Sequence, residues 1–539
     1  METVITAPDI PWATLAPVLI VLGAAVLGVL VEAFAPQKAR RTTQVLLSIF
    51  AVLASLVAVI ARWSPVMNSP VALNEYHEDT LTLAAQSILL VVAFLAILVI
   101  ADRSELGDGA FAAQPSDRPG SSDEDLSIAK GYQRTEMFPL VLFSLGGMMV
   151  FPAANTLISL FIALEVLSLP LYILVATARR RRQLSQEAAL KYFLLGAFAS
   201  AFLLMGGALL YGYSGSVNLN AISRAIPIMP GMEWMMIAGV FMVMVGLLFK
   251  VGAAPFHAWT PDVYQGAPTP ITGFMAAAVK VAAFATMLRV SLTIGVRIEW
   301  DLIWILGAVV VLTIAIGTFV GLIQTDIKRL LAYSSIAHAG FVLIGVLAAT
   351  EKSAGSVMFY LLGYGIATVG AFGVIALVRN ADASANITGE ATEISRWAGL
   401  GKKSPLAAGS MLIFLLSFAG IPLTSGFIGK FVVFADGIAA GYVGLVIVAL
   451  VASAITAFYY FRLVKLMFFT EPDENTVVVK SEGYTFIAVM VAAIVTVALG
   501  VFPQPPEIIH QKPCCFFVIE LISLFQAAAH TRNLTQDFH

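Results

Sequence analysis

The sequence predicts an all-α polytopic membrane protein of about fourteen transmembrane helices, and three observations carry that prediction. Of 539 residues, 59% are hydrophobic and only 12% charged, against roughly 25% charged in ordinary globular domains; mean hydropathy is +0.90. Apolar runs of about 17 to 25 residues, the length that crosses a hydrocarbon core of about 30 Å, recur along the whole chain. Lys and Arg collect in alternate loops, as retention of positive charge on the cytoplasmic side requires.

The expected spans lie near residues 12–34, 44–62, 81–101, 137–153, 156–176, 187–212, 234–255, 271–295, 301–322, 329–349, 355–378, 404–437, 440–467 and 484–503. The first is read as a retained span, because METVITAPDIPW carries neither a positive leader nor a small-residue cleavage site. Loops after odd-numbered spans hold about 20 Lys and Arg; those after even-numbered spans hold about 4, namely Arg62, Arg224, Arg297 and Lys352. That asymmetry places both termini outside the cytoplasm. Segment 102–136, with QPSDRPGSSDED inside it, is expected to be a mobile polar cytoplasmic loop. The tail 504–539 contains CCFFVIELISLFQAAA, too short for a span and interrupted by Glu520, and is expected to be interfacial or disordered.

Composition also excludes function classes. A net charge of -2 offers no basic face for nucleic acid. The two cysteines, Cys514 and Cys515, are adjacent and cannot supply the spaced thiolates of iron–sulfur or zinc sites. No His-x2-His or His-x3-His pair and no carboxylate cluster on a helix face argues for metal or haem. Redox chemistry is therefore expected on other chains, with no cofactor bound by this one.

Charges inside the spans need a reason, since an ionisable group at the bilayer centre costs roughly 2.5 to 3.5 kcal/mol on insertion scales. Glu165 sits halfway along span 5, Lys250 interrupts span 7 and Lys280 lies at the centre of span 8. His338 lies in AYSSIAHAGFVLIG, and Lys430 follows GIPLTSGFIG in span 12. Each has a structural reading beside a functional one. Glu165, Lys250, Lys280 and Lys430 also fit buried ion pairs; His338 also fits a packing histidine bonded by Ser334 and Ser335, a turn away. Lys191, near the start of span 6, has the reach to snorkel to headgroups. His257 and Asp262, placed in the loop after span 7, also fit capping or loop-fixing roles.

Helix breakers supply the second signal. Gly252 and Pro255 interrupt span 7, and Gly420 and Pro422 interrupt span 12. Broken helices at membrane depth are tolerated only where protein or water satisfies the freed backbone, and they mark ion paths in transporters. The breaks are five spans apart, which predicts two five-helix units, 137–295 (spans 4–8) and 301–467 (spans 9–13). Because five is odd, the units are inverted relative to each other. Three N-terminal helices (1–101) precede them and span 14 (484–503) follows. A channel or transporter is the expectation from residues alone.

Five stretches then match a known family: LEVLSLPLYILVA around Glu165, EAALKYFLLGAFASAF around Lys191, FKVGAAPFHAWTPDVYQGAPTPITGFMAAAVK from Lys250 to Lys280, DIKRLLAYSSIAHAG around His338, and GIPLTSGFIGKF around Lys430. From about residue 10 to residue 503 the chain resembles the N-type antiporter-like membrane subunits of bacterial proton-pumping NADH:quinone oxidoreductase, respiratory complex I. The loop at 104–134 and the tail depart from that family's pattern. The resemblance implies a subunit of the bacterial plasma membrane that moves protons while other subunits bind NADH, FMN, iron–sulfur clusters and quinone. It implies as partners the adjacent antiporter-like subunit M, the small subunits K and J, the lipid bilayer and protons. It further implies a charged pair between Glu165 and Lys250, a midplane axis continued by Lys280, an outward half-channel served by Lys430, and a functional Lys191. Proton transfer from Lys250 to Lys280 and on through His338 to Lys430 follows as the expected route. A multisubunit Na+/H+ antiporter uses related subunits, and a passive scaffold is the non-catalytic alternative; both stand beside this expectation.

Overall fold

The computed structural model describes residues 10–103, 109–111, 121–129, 135–179, 181–226, 231–295, 299–381, 387–473, 475–479 and 481–503. Its helices are α1 (Trp12–Phe34), α2 (Gln37–Asn68), α3 (Thr80–Ala101), α4 (Ser122–Ala129), α5 (Met137–Val150), α6 (Leu157–Val175), α7 (Arg182–Ser214), α8 (Leu219–Ala225), α9 (Glu233–Val251), α10 (Trp259–Gly266), α11 (Thr269–Thr293), α12 (Glu299–Leu322), α13 (Ile327–Ala348), α14 (Glu351–Leu377), α15 (Leu400–Lys403), α16 (Pro405–Ala419), α17 (Ser425–Ala439), α18 (Val443–Phe469) and α19 (Tyr484–Val501). Among the described residues, twelve helices are long and apolar enough to cross a membrane. The other two expected spans are α5, prolonged by a 3₁₀ turn at Phe151–Ala153, and the α16–α17 pair.

Short polar side chains set the helix starts, satisfying amides that the first turn leaves free. Asp79 accepts from the Thr82 amide ahead of α3, and Asp326 from the Lys328 and Arg329 amides ahead of α13. Thr156 with Ser159, and Thr350 with Ser353, close reciprocal capping boxes at α6 and α14. The innermost helices are α3, α11, α13 and α14: the most apolar stretch of α11 is 100% buried, against 33% in α18. Lys280 on α11 and His338 on α13 therefore occupy the centre of the bundle.

Both breaks are built alike. α9 ends at Gly252 (φ 73) and α16 at Gly420 (φ 81), left-handed residues where a side chain is disfavoured. The Gly252 and Ala253 amides donate to Phe249 and Leu248 carbonyls; those of Gly420 and Ile421 donate to Ser417 and Leu416. This double bond pattern is the Schellman end, and it leaves the last two carbonyls of each half-helix unused. Helix then resumes as α10 and α17.

Other features recur in both halves of the chain. Gly147 of α5 abuts the backbone of Leu167 on α6, and Gly317 of α12 abuts that of Ala337 on α13. Leu157 donates to Val217 O and Leu219 to Asn155 O; correspondingly, Ile327 donates to Thr392 O and Ile394 to Thr325 O. The interval that carries Gly147 to Gly317 also carries Leu157 to Ile327, Glu165 to Ser335 and Ser168 to His338.

Three expectations change. Span 7 does not end near residue 255: Gly252 and Pro255 interrupt it, and α10 carries it on to Gly266, its Trp259 stacked on Tyr192 at 4.8 Å. Asp262 thus lies in the second half-helix and His257 in the break, not in a loop. The polar insertion is helical at α4, and Phe111 bridges to Ala178. Strands unforeseen in the sequence also occur. β1 (Val71–Ala72) pairs with β2 (His77–Glu78), and β3 (Val378–Ala381) lies between β4 (Ile387–Glu390) and β5 (Thr476–Val478), all antiparallel. The expected tail at 504–539 lies outside the described residues.

Candidate functional site

The four intramembrane basic residues Lys250, Lys280, His338 and Lys430 are each at most 5% exposed. Buried charge needs paired or dipolar partners, and the folding of the breaks provides several of them.

Lys250 sits in the last turn of α9, at the negative end of the half-helix dipole. Its Nζ donates to Ser168 Oγ at 2.8 Å, and the Ser168 hydroxyl in turn donates to the Leu164 carbonyl. The rings of Tyr172, Tyr192 and Phe249 stand 5.6 to 5.7 Å from the ammonium. Glu165, Ser168 and Tyr172 share one stripe of α6, at i, i+3 and i+7. The hydrogen bond of Lys250 goes to Ser168 rather than to Glu165, one turn earlier on that stripe. The carboxylate is half-buried beside the exposed side chains Ile158, Ile162 and Leu169.

Lys280 donates to the Ser335 carbonyl of α13 and lies 5.4 Å from the Tyr364 ring. Ser335 Oγ is 3.5 Å from Tyr264 Oη. Trp259, between Tyr192 and Tyr264, makes the link towards Lys250 largely aromatic. His338 has neither expected serine as partner: its Nδ1 is 2.5 Å from Tyr360 Oη and its Nε2 3.3 Å from Tyr460 Oη. Ser334 is itself bonded to Tyr460. Phe418 packs its ring 5.8 Å from the imidazole.

Lys430 lies in α17 and reaches back across the break. Its Nζ donates to Phe418 O at 2.8 Å and Ala419 O at 3.1 Å, the two carbonyls the Schellman end leaves free, and to Ser453 Oγ at 2.8 Å. Among the described residues neither Lys280 nor Lys430 has a carboxylate partner; both are held by neutral oxygens.

Lys191 stands apart from these four. Nine residues into α7 and 42% exposed at the side chain, it pairs with Glu187 at 2.7 Å and Asp262 at 2.8 Å rather than snorkelling. Asp262 also binds Arg329 at 2.7 Å. His257 has its Nδ1 buried without a partner among the described residues. Nearby, at the end of the bundle that carries the basic loops, a cavity of about 110 Å³ is lined by residues including Arg181, Gln265, Lys328, Arg379 and Glu390. Burial pushes the Glu390 carboxyl up, but Lys328 and Arg379 outweigh it and hold the group below the usual carboxylate range.

Sequence reasoning missed Ser168, Tyr264, Tyr360, Tyr460 and Ser453 as partners, and missed Asp436, a buried carboxylate on α17. Only Ser168 had a signal, one turn beyond Glu165.

Comparison with known proteins fits this geometry. The family model described as "NADH:quinone oxidoreductase/Mrp antiporter, TM" matches residues 154–456, which contain both breaks and all six candidate charged residues. NADH-quinone oxidoreductase subunit N of Beutenbergia cavernae is 55% identical, over 92% of this chain and 97% of the relative. A chain of respiratory complex I from Thermus thermophilus, solved with bound aureothin, superposes with a TM-score of 0.73 at 33% identity, covering 90% of this chain and 97% of that one. A chain of the Mrp complex from a Dietzia species reaches a TM-score of 0.77 at 19% identity, covering 94% and 99%, and shows the shared fold alone. The chain belongs to the NADH:quinone oxidoreductase/Mrp antiporter membrane-subunit family, within its group of NADH-quinone oxidoreductase subunits N.

Proposed function

We propose that this chain translocates protons along Lys250, Lys280, His338 and Lys430, driven by NADH oxidation and quinone reduction in other subunits of complex I. The observation that carries the reading is the kind of partner each buried basic group has. Lys250 bonds Ser168, one turn beyond Glu165 on the same face of α6, whereas among the described residues Lys280 and Lys430 are held by carbonyl and hydroxyl oxygens and by the faces of Tyr364 and Phe341. A charge state is therefore favoured differently at each station, and a change at Glu165 alters the preference of Lys250 first. Transfer of one charge against the membrane potential costs about 2.3 kcal/mol per 100 mV, within the range that shifts of a few pKa units supply.

The matching Schellman breaks and the paired bonds at Leu157 and Ile327 support two inverted units, 137–295 and 301–467, flanked by 1–101, the loop 102–136, span 14 at 484–503 and the tail 504–539. Inversion turns one unit's mouth to each side of the membrane. The Lys and Arg asymmetry supports a plasma-membrane topology with both termini outside. The half-buried Glu165 beside an exposed apolar stripe supports a neighbour there, with subunits M, K and J as the proposed contacts and NADH, FMN, iron–sulfur clusters and quinone held elsewhere. Lys191, paired at the basic end, is assigned to proton entry. The 55% identity to a subunit N, against 19% to an Mrp chain, favours this reading over Na+/H+ exchange.

Lys250→Met in the assembled complex tests it. In inverted membrane vesicles the variant is expected to lose the proton pumping this subunit contributes per NADH oxidised, with subunit content unchanged. Normal pumping by the assembled variant rejects the proposal.

A further inference from the structure

Lys430 is the last of the four stations, and what lies beyond it is a buried acid. Asp436 is on the same half-helix α17, six residues on and so about 9 Å farther along the axis. It is 5% exposed; one carboxylate oxygen, Oδ2, is buried with no hydrogen-bond partner among the described residues. The other, Oδ1, lies 3.2 Å from Lys352 Nζ, whose side chain is 68% exposed. Lys352 lies in the first turn of α14, which ends at β3 and Arg379 beside the basic cavity, so Asp436 and Lys352 mark the opposite end of the bundle.

This pair has a counterpart. Lys191 on α7 binds Asp262 on α10, at the basic end. In each unit the lysine is on the third helix and the aspartate on the second half of the broken fourth helix. Inversion of the units places one pair at each mouth. The two are not equal in environment: Asp262 is bonded by both Lys191 and Arg329, whereas Asp436 keeps one oxygen uncommitted and faces a solvated lysine.

We infer that Asp436 is the carboxylate through which protons leave the chain, with Lys352 as its exposed counter-ion. This rests on the proton-translocating reading above. The ammonium of Lys430 gives its proton, through intervening water, to Asp436 Oδ2; Lys430 becomes a neutral amine and Asp436 a neutral acid. The acid then releases the proton to the outer aqueous phase and returns to the carboxylate paired with Lys352. No oxidant or reductant takes part. An ion pair that merely fastens α14 to α17 is the competing role, and it makes different demands on variants.

The test uses whole complex I in inverted vesicles, reading lumen acidification per NADH oxidised together with subunit content. Asp436→Asn is expected to lower the ratio to the value seen with Lys430→Met, at unchanged subunit content, and Asp436→Glu to retain the wild-type ratio. The double variant Asp436→Asn, Lys352→Gln leaves no unpaired charge and decides the matter even where the single variant does not assemble: it is expected to assemble and still pump poorly. If Asp436→Asn or the double variant pumps like wild type while Lys430→Met does not, the exit role is overturned and the translocating reading stands. If Lys430→Met also pumps like wild type, the translocating reading fails and the exit role with it.

Discussion

Lys430 Nζ lies 2.8 Å from the carbonyl oxygen of Phe418, a residue that closes the first half of the broken helix to which Lys430 itself belongs. The glycine that ends α16 frees that carbonyl, and the lysine, twelve residues beyond Phe418, occupies it. The break and the charge are therefore one device: the helix end supplies the dipole that a buried ammonium needs, and the ammonium satisfies oxygens the break leaves behind.

Lys430→Met should accordingly carry two penalties. Loss of the donor strands the Phe418 and Ala419 carbonyls, which costs on the order of 1 to 3 kcal/mol, read as a lower thermal midpoint of the solubilised complex. Loss of the titratable group lowers protons pumped per NADH. A variant with normal stability and normal pumping contradicts both halves of the argument.

The close crossings at Gly147 and Gly317 predict matched sensitivity in the two units. A Cβ at Gly147 would stand 2.5 Å from Leu167 N, and one at Gly317 would stand 2.3 Å from Ala337 N. Backbone cannot yield as a side chain does, so Gly147→Ala and Gly317→Ala should each cost about 1 to 3 kcal/mol through overpacking. Quantifying the assembled subunit in membranes checks this; wild-type levels for either variant show that the crossing has slack.

A third expectation concerns the end of the bundle remote from the basic loops. Arg289 grips Asp79 with both terminal nitrogens, at 2.7 and 3.0 Å, and also donates to Thr82 Oγ1, tying α11 to the start of α3. Burial by itself pushes the Asp79 carboxyl up; Arg289 reverses this and brings it from 3.8 down to about 2. A depressed carboxyl stabilises the fold above its unfolded pKa, and that contribution, about 2 kcal/mol, is lost as pH falls from about 4 through 2. The stability gap between wild type and Arg289→Gln should therefore narrow across that window, measured as thermal midpoints of the solubilised complex. A gap independent of pH would count against the pair.

Much of this was legible in the linear chain because membrane insertion leaves strong marks. Fourteen apolar runs, the Gly–Pro interruptions and the isolated charges at Glu165, Lys250, Lys280, His338 and Lys430 all follow from the cost of polar groups in hydrocarbon. The partners were hidden for the converse reason. Tyr360 and Tyr460 are unremarkable in apolar helices, and only the packing of α13 against α14 and α18 brings both hydroxyls to one imidazole. Asp436 fell at the edge of an expected span, where a charge looks interfacial, and the half-helix beyond Pro255 was hidden because proline alone does not say how far a broken helix resumes. The short strands joining residues 378–390 to 476–478 carry too few residues for a period to register.

The two tyrosines make the sharpest remaining prediction. Tyr360 Oη is 2.5 Å from His338 Nδ1, whereas Tyr460 Oη is 3.3 Å from Nε2 and is also bonded to Ser334. Tyr360→Phe removes the shorter bond and leaves a buried ring nitrogen unpaired, a penalty of roughly 1 to 3 kcal/mol. Tyr460→Phe removes a longer contact, and Tyr360 still holds the ring. If His338 relays protons, Tyr360→Phe should lower pumping per NADH more than Tyr460→Phe does, because the first loses the contact that orients the imidazole. If His338 only packs, both variants should change stability and leave the ratio of protons to NADH untouched. Pumping ratios and thermal midpoints on the same two preparations separate these cases, since a relay moves the ratio and a packing residue does not.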